Sequence, residues 1–141
     1  MVKFDRISYD VLRVGEEFMS DDLLIKPGDV ETFTFAVDDH HPWYFEDSPF
    51  GGPIAPPVML GNQALRLRTS RYIVMAGLHA KMQFEFVEPL RVGIRVRSYG
   101  KVIDKFEKRG RHYMVTEFTT KDEDSGAVLT RGQLTQMLFP D

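Results

Sequence analysis

Between Asp38 and Pro57 the chain runs DDHHPWYFEDSPFGGPIAPP, and most of its capacity for chemistry lies there. The segment holds two adjacent carboxylates, two adjacent imidazoles, the only Trp, a Tyr, a double Gly and five of the eight prolines. Pro removes a backbone donor and Gly costs chain entropy, so neither a plain helix nor a plain strand fits. Ionisable groups on so shaped a connection form the pattern of a site carried by a scaffold. If Pro42 opens a short helical turn, Tyr44 stands one turn along from His41 on the same side. Asp39, His41 and Tyr44 can then converge as acid, base and hydrogen-bond donor. Plainer readings stand beside this one. Asp38 or Asp39 could simply cap the turn at Pro42, and Trp43, Tyr44 and Phe45 could be an aromatic plug for the core. Phe50–Pro53 (FGGP) offers glycine amides to a ligand carbonyl or phosphate, or is a bare tight turn. A metal centre fits poorly, because ligands at neighbouring positions in a DDHH string seldom converge. His79 and His112 stand alone at strand starts and read as structural or surface residues.

The elements that must position this segment are legible on both sides of it. Upstream, Pro27–Val37 (PGDVETFTFAV) predicts a helix, with Pro27 near its start and Asp29 as a cap or early acidic residue. Val30, Phe33, Ala36 and Val37 form its stripe, and Phe35 falls off it. Downstream, Val58–Arg68 (VMLGNQALRLR) predicts a longer helix after Pro56-Pro57, with a broad apolar face. Gly61 inside it marks close backbone approach, since Gly there costs about 1 kcal/mol relative to Ala. Ala80–Phe86 (AKMQFEF) alternates, placing Ala80, Met82, Phe84 and Phe86 on one face. Ile94–Ile103, Tyr113–Thr120 and Val128–Phe139 add three more strands, divided by Glu88-Pro89, Arg109-Gly110 and Asp122–Gly126. Short connections predict an antiparallel meander.

Bulk properties narrow the function classes. The 141 residues suit one domain, 1–141, with no repeat or linker. There is no apolar run of about 18 residues and no apolar signal region, so no membrane partner is expected and the chain reads as cytoplasmic. Without cysteine, thiolate and disulfide chemistry are closed to it. Net charge is −3, and the basic residues are scattered apart from Lys105–Arg111, which reads as a turn. No footprint for nucleic acid follows.

Taken together, GEEF (Gly15–Phe18), PGDVETFTFAVDD, DHHPWY, FGGPIAPP and FVEPLRVG (Phe86–Gly93) give a chain that resembles the MaoC-like acyl dehydratases, which include the R-specific enoyl-CoA hydratases. The resemblance implies an α+β hotdog domain, a curved antiparallel sheet wrapped around a long central helix, paired as a homodimer or heterodimer. The hydratases carry GDxNPxH, whose Asp and His flank a water or hydroxyl. Here the pattern stands as Asp38-Asp39-His40-His41-Pro42-Trp43-Tyr44. Asp39 falls on the catalytic Asp, while the Gly is Asp38, the Asn is His41 and the His is Tyr44. The family's PIAHG, whose Gly amide holds the thioester oxygen, stands as Pro53-Ile54-Ala55-Pro56-Pro57. Pro57 has no N–H to give, so the donor shifts to Val58 at the helix start, where amides are unpaired.

What the resemblance implies is a hydro-lyase acting across the 2,3-double bond of an acyl thioester. Asp39, His41 and Tyr44 are then the catalytic residues, and Phe50, Gly52, Pro53, Ile54 and Val58 bind the substrate or its oxyanion. It needs no metal or redox cofactor, and coenzyme A or an acyl carrier protein serves as the handle. Two alternatives remain: a non-catalytic acyl-thioester-binding subunit of a heteromeric dehydratase, and a hotdog thioesterase.

Overall fold

The computed structural model describes residues 4–139. Two short strands, β1 (Glu17–Met19) and β2 (Leu23–Leu24), precede helix α1 (Pro27–Ala36). A 3-10 turn (Pro42–Tyr44) and the two-residue β3 (Ile54–Ala55) follow. The chain then coils through a 3-10 turn (Pro57–Met59), helix α2 (Leu60–Leu65) and another 3-10 turn (Leu67–Ser70). The remainder is strand: β4 (Ala76–Phe86), β5 (Leu90–Arg91), β6 (Arg95–Lys108), β7 (Arg111–Asp122) and β8 (Val128–Phe139).

The large sheet has the order β1-β6-β7-β8-β4, with β2 also on β6, and all its pairings are antiparallel. The expected meander is therefore correct for β6, β7 and β8 but not for the strand before them. β4 pairs with β8 at the far side of the sheet. The cause is β5, which leaves the large sheet to pair with β3 and carries the chain across before β6 begins. Arg109 and Gly110 both take positive φ, 53° and 72°, which makes the tight β6–β7 hairpin. The run Lys105–Arg111, expected as a turn, is strand on either side of those two residues.

The expected long central helix is not formed. Pro56 and Pro57 lack N–H groups, so the coil begins as a 3-10 turn in which Met59 N–H donates to Pro56 O. At the far end the Thr69 and Ser70 hydroxyls donate back to Arg66 O and Leu67 O, three residues earlier, and again hold a 3-10 turn. Six α-helical residues remain between these ends.

One face of the sheet carries three buried clusters along that coil. Ala64 and Leu67 pack with Phe118 and Leu134, flanked by Met82 and Phe84. Toward one end Ile25, Val30, Ala55, Leu60, Leu90, Val96 and Leu129 join α1, β3 and α2. Toward the other, Ile7, Leu12, Tyr72, Val102, Met114 and Leu138 close the core. Gly132 lets two strands meet, since a Cβ there would fall 1.7 Å from Gln83 O. Gly61 is different: a Cβ would sit 3.5 Å from the Phe84 ring, ordinary contact, so the close approach expected there is absent.

Two further expectations change. β4 starts at Ala76, and a register shift between His79 and Lys81 leaves Ala80 out of the pairing, so its alternation holds only from Lys81 onward. Helix α1 matches its expected span to within one residue, but its buried face is Val30 and Thr34. Ala36 and Val37 of the expected stripe are exposed, as is Phe35, which falls off it as expected; Lys26 is the N-cap residue, and Asp29 is the acidic residue of the first turn.

Candidate active site

Helix α1 ends in a motif that aims Asp39. Val37 is the C-cap, and Asp38 takes φ +55° beyond it. Asp38 N–H donates to Phe35 O at 3.3 Å and Asp39 N–H to Thr34 O at 2.9 Å. This crossed pair of bonds is a Schellman closure, in which the left-handed residue is usually Gly. Asp38 therefore occupies the very position where the related pattern carries Gly, and Asp is among the few side chains that accept it. Its carboxylate points outward and contacts His40 Nε2 at 3.0 Å.

The Pro42–Tyr44 turn then brings Tyr44 back toward Asp39. Tyr44 Oη donates to Asp39 Oδ2 at 2.9 Å, both residues being half-buried. Burial, then the Asp39 hydrogen bond and the Asp39 charge, push the Tyr44 phenol up to about 12. Tyr44 is consequently a fixed donor at neutral pH. His41 caps the turn: its Nδ1 accepts from Trp43 N–H at 3.2 Å. The capping role expected of Asp38 or Asp39 thus falls to His41. An accepting Nδ1 fixes the neutral ring as the Nε2–H tautomer, a donor rather than a base. The His41 ring lies 5.9 Å from that of Tyr44, centre to centre.

Phe50–Pro53 is shaped from within. Gly51 and Gly52 take positive φ, 83° and 86°. Gly51 N–H donates to Ser48 O, and Gly52 N–H to Asp47 Oδ1 at 2.6 Å. Ser48 Oγ donates to Gly52 O and accepts from Phe50 N–H, while Arg91 Nε–H donates to Phe50 O. The glycine amides expected to face a ligand are thus already engaged. Pro53 O accepts from Val92 N–H, and Ile54 pairs with Arg91 in the small sheet. Sequence reasoning misses Asp47 and Ser48; an Asp-Ser pair three to five residues before a double Gly is the available signal.

Val58 differs from these glycines. Its N–H has no hydrogen bond among the described residues, while Met59 N–H and Leu60 N–H turn back to Pro56, Pro57 and Val58 carbonyls. Tyr44 and Met59 pack against the cluster that contains Ala55 and Leu60, so the Asp39–Tyr44 pair and the start of the central coil share one wall. Trp43, Phe45, Phe50 and Val58 are exposed, and Trp43 and Phe50 meet edge to face at 5.9 Å.

His79 is exposed on β4, and His112 stacks on Tyr9 at 4.4 Å. Among the described residues no group of three or more His, Cys, Asp or Glu could hold a metal ion. No helix there is long and apolar enough to cross a membrane.

The antiparallel sheet packed on the central coil is a hotdog fold. Residues 13–131 match the family described as FAS1-like, dehydratase domain region, and the chain belongs to that family. Its fold is shared with the unliganded R-hydratase PhaJ1 from Pseudomonas aeruginosa (18% identity, 96% of this chain and 87% of that one, TM-score 0.80). It is also shared with the MaoC-like dehydratase from Rhodospirillum rubrum (20%, 94% and 97%, 0.78). The HadBC 3R-hydroxyacyl-ACP dehydratase complex from Mycobacterium tuberculosis is a third such structure (19%, 88% and 96%, 0.77). A comparison with curated proteins gave no match.

Proposed function

We propose that this chain, acting as one hotdog domain over residues 1–141, is a hydro-lyase that adds or removes water across the 2,3-double bond of an acyl thioester. The observation that carries the reading is the Tyr44 Oη to Asp39 Oδ2 bond of 2.9 Å. It fixes Oδ2, while Oδ1 has no hydrogen bond among the described residues and takes the proton. In the hydration direction, Asp39 takes a proton from water as the oxygen bonds to C3. The double-bond electrons move to the thioester oxygen, where the Val58 N–H stabilises the enolate; such donors are worth about 3–4 kcal/mol in transition states. Asp39 then returns the proton to C2, and dehydration is the reverse. Tyr44 orients Asp39, and His41, as the Nε2–H tautomer, donates to the C3 oxygen without exchanging its own proton. Phe50, Pro53 and Ile54 shape the approach, and Gly52 supports the loop through Asp47 rather than donating to substrate. The handle is coenzyme A or an acyl carrier protein, and the cycle calls on no cofactor.

The test is loss of enoyl-CoA absorbance with purified protein. Activity is expected, with Asp39→Asn slowing turnover by at least about a hundredfold, the scale of general acid–base contributions. An active wild type whose Asp39→Asn variant keeps full rate rejects the role of Asp39. A second reading is favoured by one observation: Tyr44 stands where the related pattern has a His, and a phenol raised to about 12 cannot accept a proton at neutral pH. On that reading the chain binds the acyl thioester in a heterodimer and the catalytic centre lies in a partner subunit. Turnover only after mixing with a second hotdog subunit supports it.

A further inference from the structure

Arg68 is buried, with 7% of its surface exposed. Its Nη1 is sealed from solvent without a hydrogen bond, and its other guanidinium nitrogens make none among the described residues but are not sealed. Burial is what acts on its ionisation, pulling the pKa down, and no carboxylate offsets it. The guanidinium lies on Gly77 of β4, so closely that a Cβ there would meet Nη2. Gly77 stands opposite Leu138, a core residue, so this charge lies on the inner face of the sheet. Two residues before Leu138 on β8, Gln136 is buried as well and donates from Nε2 to Leu65 O at 3.2 Å. A buried guanidinium without an acceptor destabilises a fold unless a bound anion completes it.

Arg68 closes one end of a seam. Val58, Gly61, Leu65 and Arg68 recur at intervals of three, four and three residues, which sets them on one side of the central coil. β4 runs beside them: a Cβ at Gly61 would lie 3.5 Å from the Phe84 ring and 3.6 Å from Met82 Sδ, while Arg68 lies on Gly77. Leu65, Met82 and Phe84 are half-buried, so apolar surface stays open along the middle of the seam. The seam therefore begins at the unbonded Val58 N–H, is apolar at its centre and ends on a cation beside an amide. At about 1.5 Å per residue Val58 and Arg68 stand roughly 15 Å apart along the coil, and helical side chains lean back toward the amino end. We infer that the acyl group bound by this chain ends in a carboxylate, which Arg68 pairs at the far end of the seam. The inference rests on the acyl-thioester reading and names its substrate class: a thioester head at Val58, an apolar middle and an anionic tail. A plain alkyl tail would leave the guanidinium desolvated against methyl groups, whereas a carboxylate removes that penalty through charge-assisted hydrogen bonds.

The test is calorimetric binding of two saturated acyl-CoA ligands of equal length, one ending in a methyl group and one in a free carboxylate, over a series of lengths. Neither reacts, so the readout is independent of turnover. Wild type should bind the carboxylate ligand about ten- to hundredfold more tightly at the best-fitting length, the scale of a hydrogen bond between charged groups. Arg68→Met should abolish the preference, and Arg68→Lys, which keeps the charge but not the planar fork, should retain part of it. In denaturant melts without ligand, Arg68→Met should be as stable as wild type or more so, because an unpaired buried charge has gone. Equal binding of both ligands by wild type, or tighter binding of the methyl-ended one, rejects the carboxylate and leaves the thioester reading standing. Binding of neither ligand removes both. A preference that survives in Arg68→Met, or a loss that falls equally on both ligands, also overturns the proposal, the second by assigning Arg68 to the phosphates of the handle. So does a loss of stability in ligand-free Arg68→Met, which would mean that Arg68 serves the fold.

Discussion

The Asp39–Tyr44 pair can be tested without any substrate, through the ionisation of Tyr44. Its phenol is raised from 10 to about 12, with burial the first cause and the Asp39 hydrogen bond and charge the second and third. Two pH units correspond to about 2.7 kcal/mol between the protonated and ionised forms. Asp39→Ala removes the hydrogen bond and the charge together but leaves the ring packed against the Ala55–Leu60 wall. As the largest of three causes, burial stays, so Tyr44 in this variant should titrate below the wild-type value and still above the ordinary 10. The assay is tyrosinate absorbance after a rapid pH jump, read before unfolding and corrected with Tyr44→Phe to isolate this residue among the five tyrosines. If Tyr44 ionises at the same pH in wild type and Asp39→Ala, the pair is not formed in solution and the orientation of Asp39 needs another cause.

Other expectations follow from the same geometry. Asp38→Gly should raise stability by about 0.5–1 kcal/mol in denaturant melts, because Gly accepts the left-handed closure after α1 without a side-chain penalty. Gly61→Ala should stabilise by up to about 1 kcal/mol, since the added methyl meets the Phe84 ring at 3.5 Å. Gly132→Ala should instead disrupt β4–β8 pairing, where the methyl would fall 1.7 Å from Gln83 O, and amide exchange in β4 reads that loss. Tyr44 and Tyr72 are both held at about 12, Tyr72 by burial and then by its hydrogen bond to Glu16. Folded values above the unfolded 10 mean that this stabilisation is complete below about pH 10 and disappears as the pH rises toward 12. Denaturant midpoints should fall across that window, and less steeply in Tyr44→Phe.

What the sequence reveals of the fold is what depends on short-range pattern. The span of α1, the β6–β7 hairpin at Arg109-Gly110 and the strand content of the second half all follow from periodicity and turn chemistry. The position of β4 does not, because which strand pairs with which is a matter of long-range packing, and a two-residue detour through β5 is enough to send a neighbour in sequence to the far edge. The central helix fails for the opposite reason. Its apolar face is genuine, but Pro56, Pro57, Thr69 and Ser70 act locally at its ends and tighten both into 3-10 turns.

The site was legible by residue type more than by role. Asp39 and Tyr44 meet as their spacing suggested, while His41 faces the backbone of its own turn and becomes a cap. That difference bears on how the departures from the family pattern are weighed. A His in place of Tyr44 could exchange a proton with substrate; Tyr44, held by burial and by Asp39, cannot do so near neutrality. His41 cannot replace that function while Nδ1 accepts from Trp43, since its remaining nitrogen already carries the proton. On the proposed mechanism, proton transfer therefore runs through Asp39 Oδ1, with Tyr44 and His41 both acting as donors. One base serving both C2 and the water demands that the two proton positions lie on the same face of the substrate. A chain built this way should add water syn, with deuterium from solvent entering C2 on the face that receives the hydroxyl; anti addition would require a second base on the opposite face of the substrate.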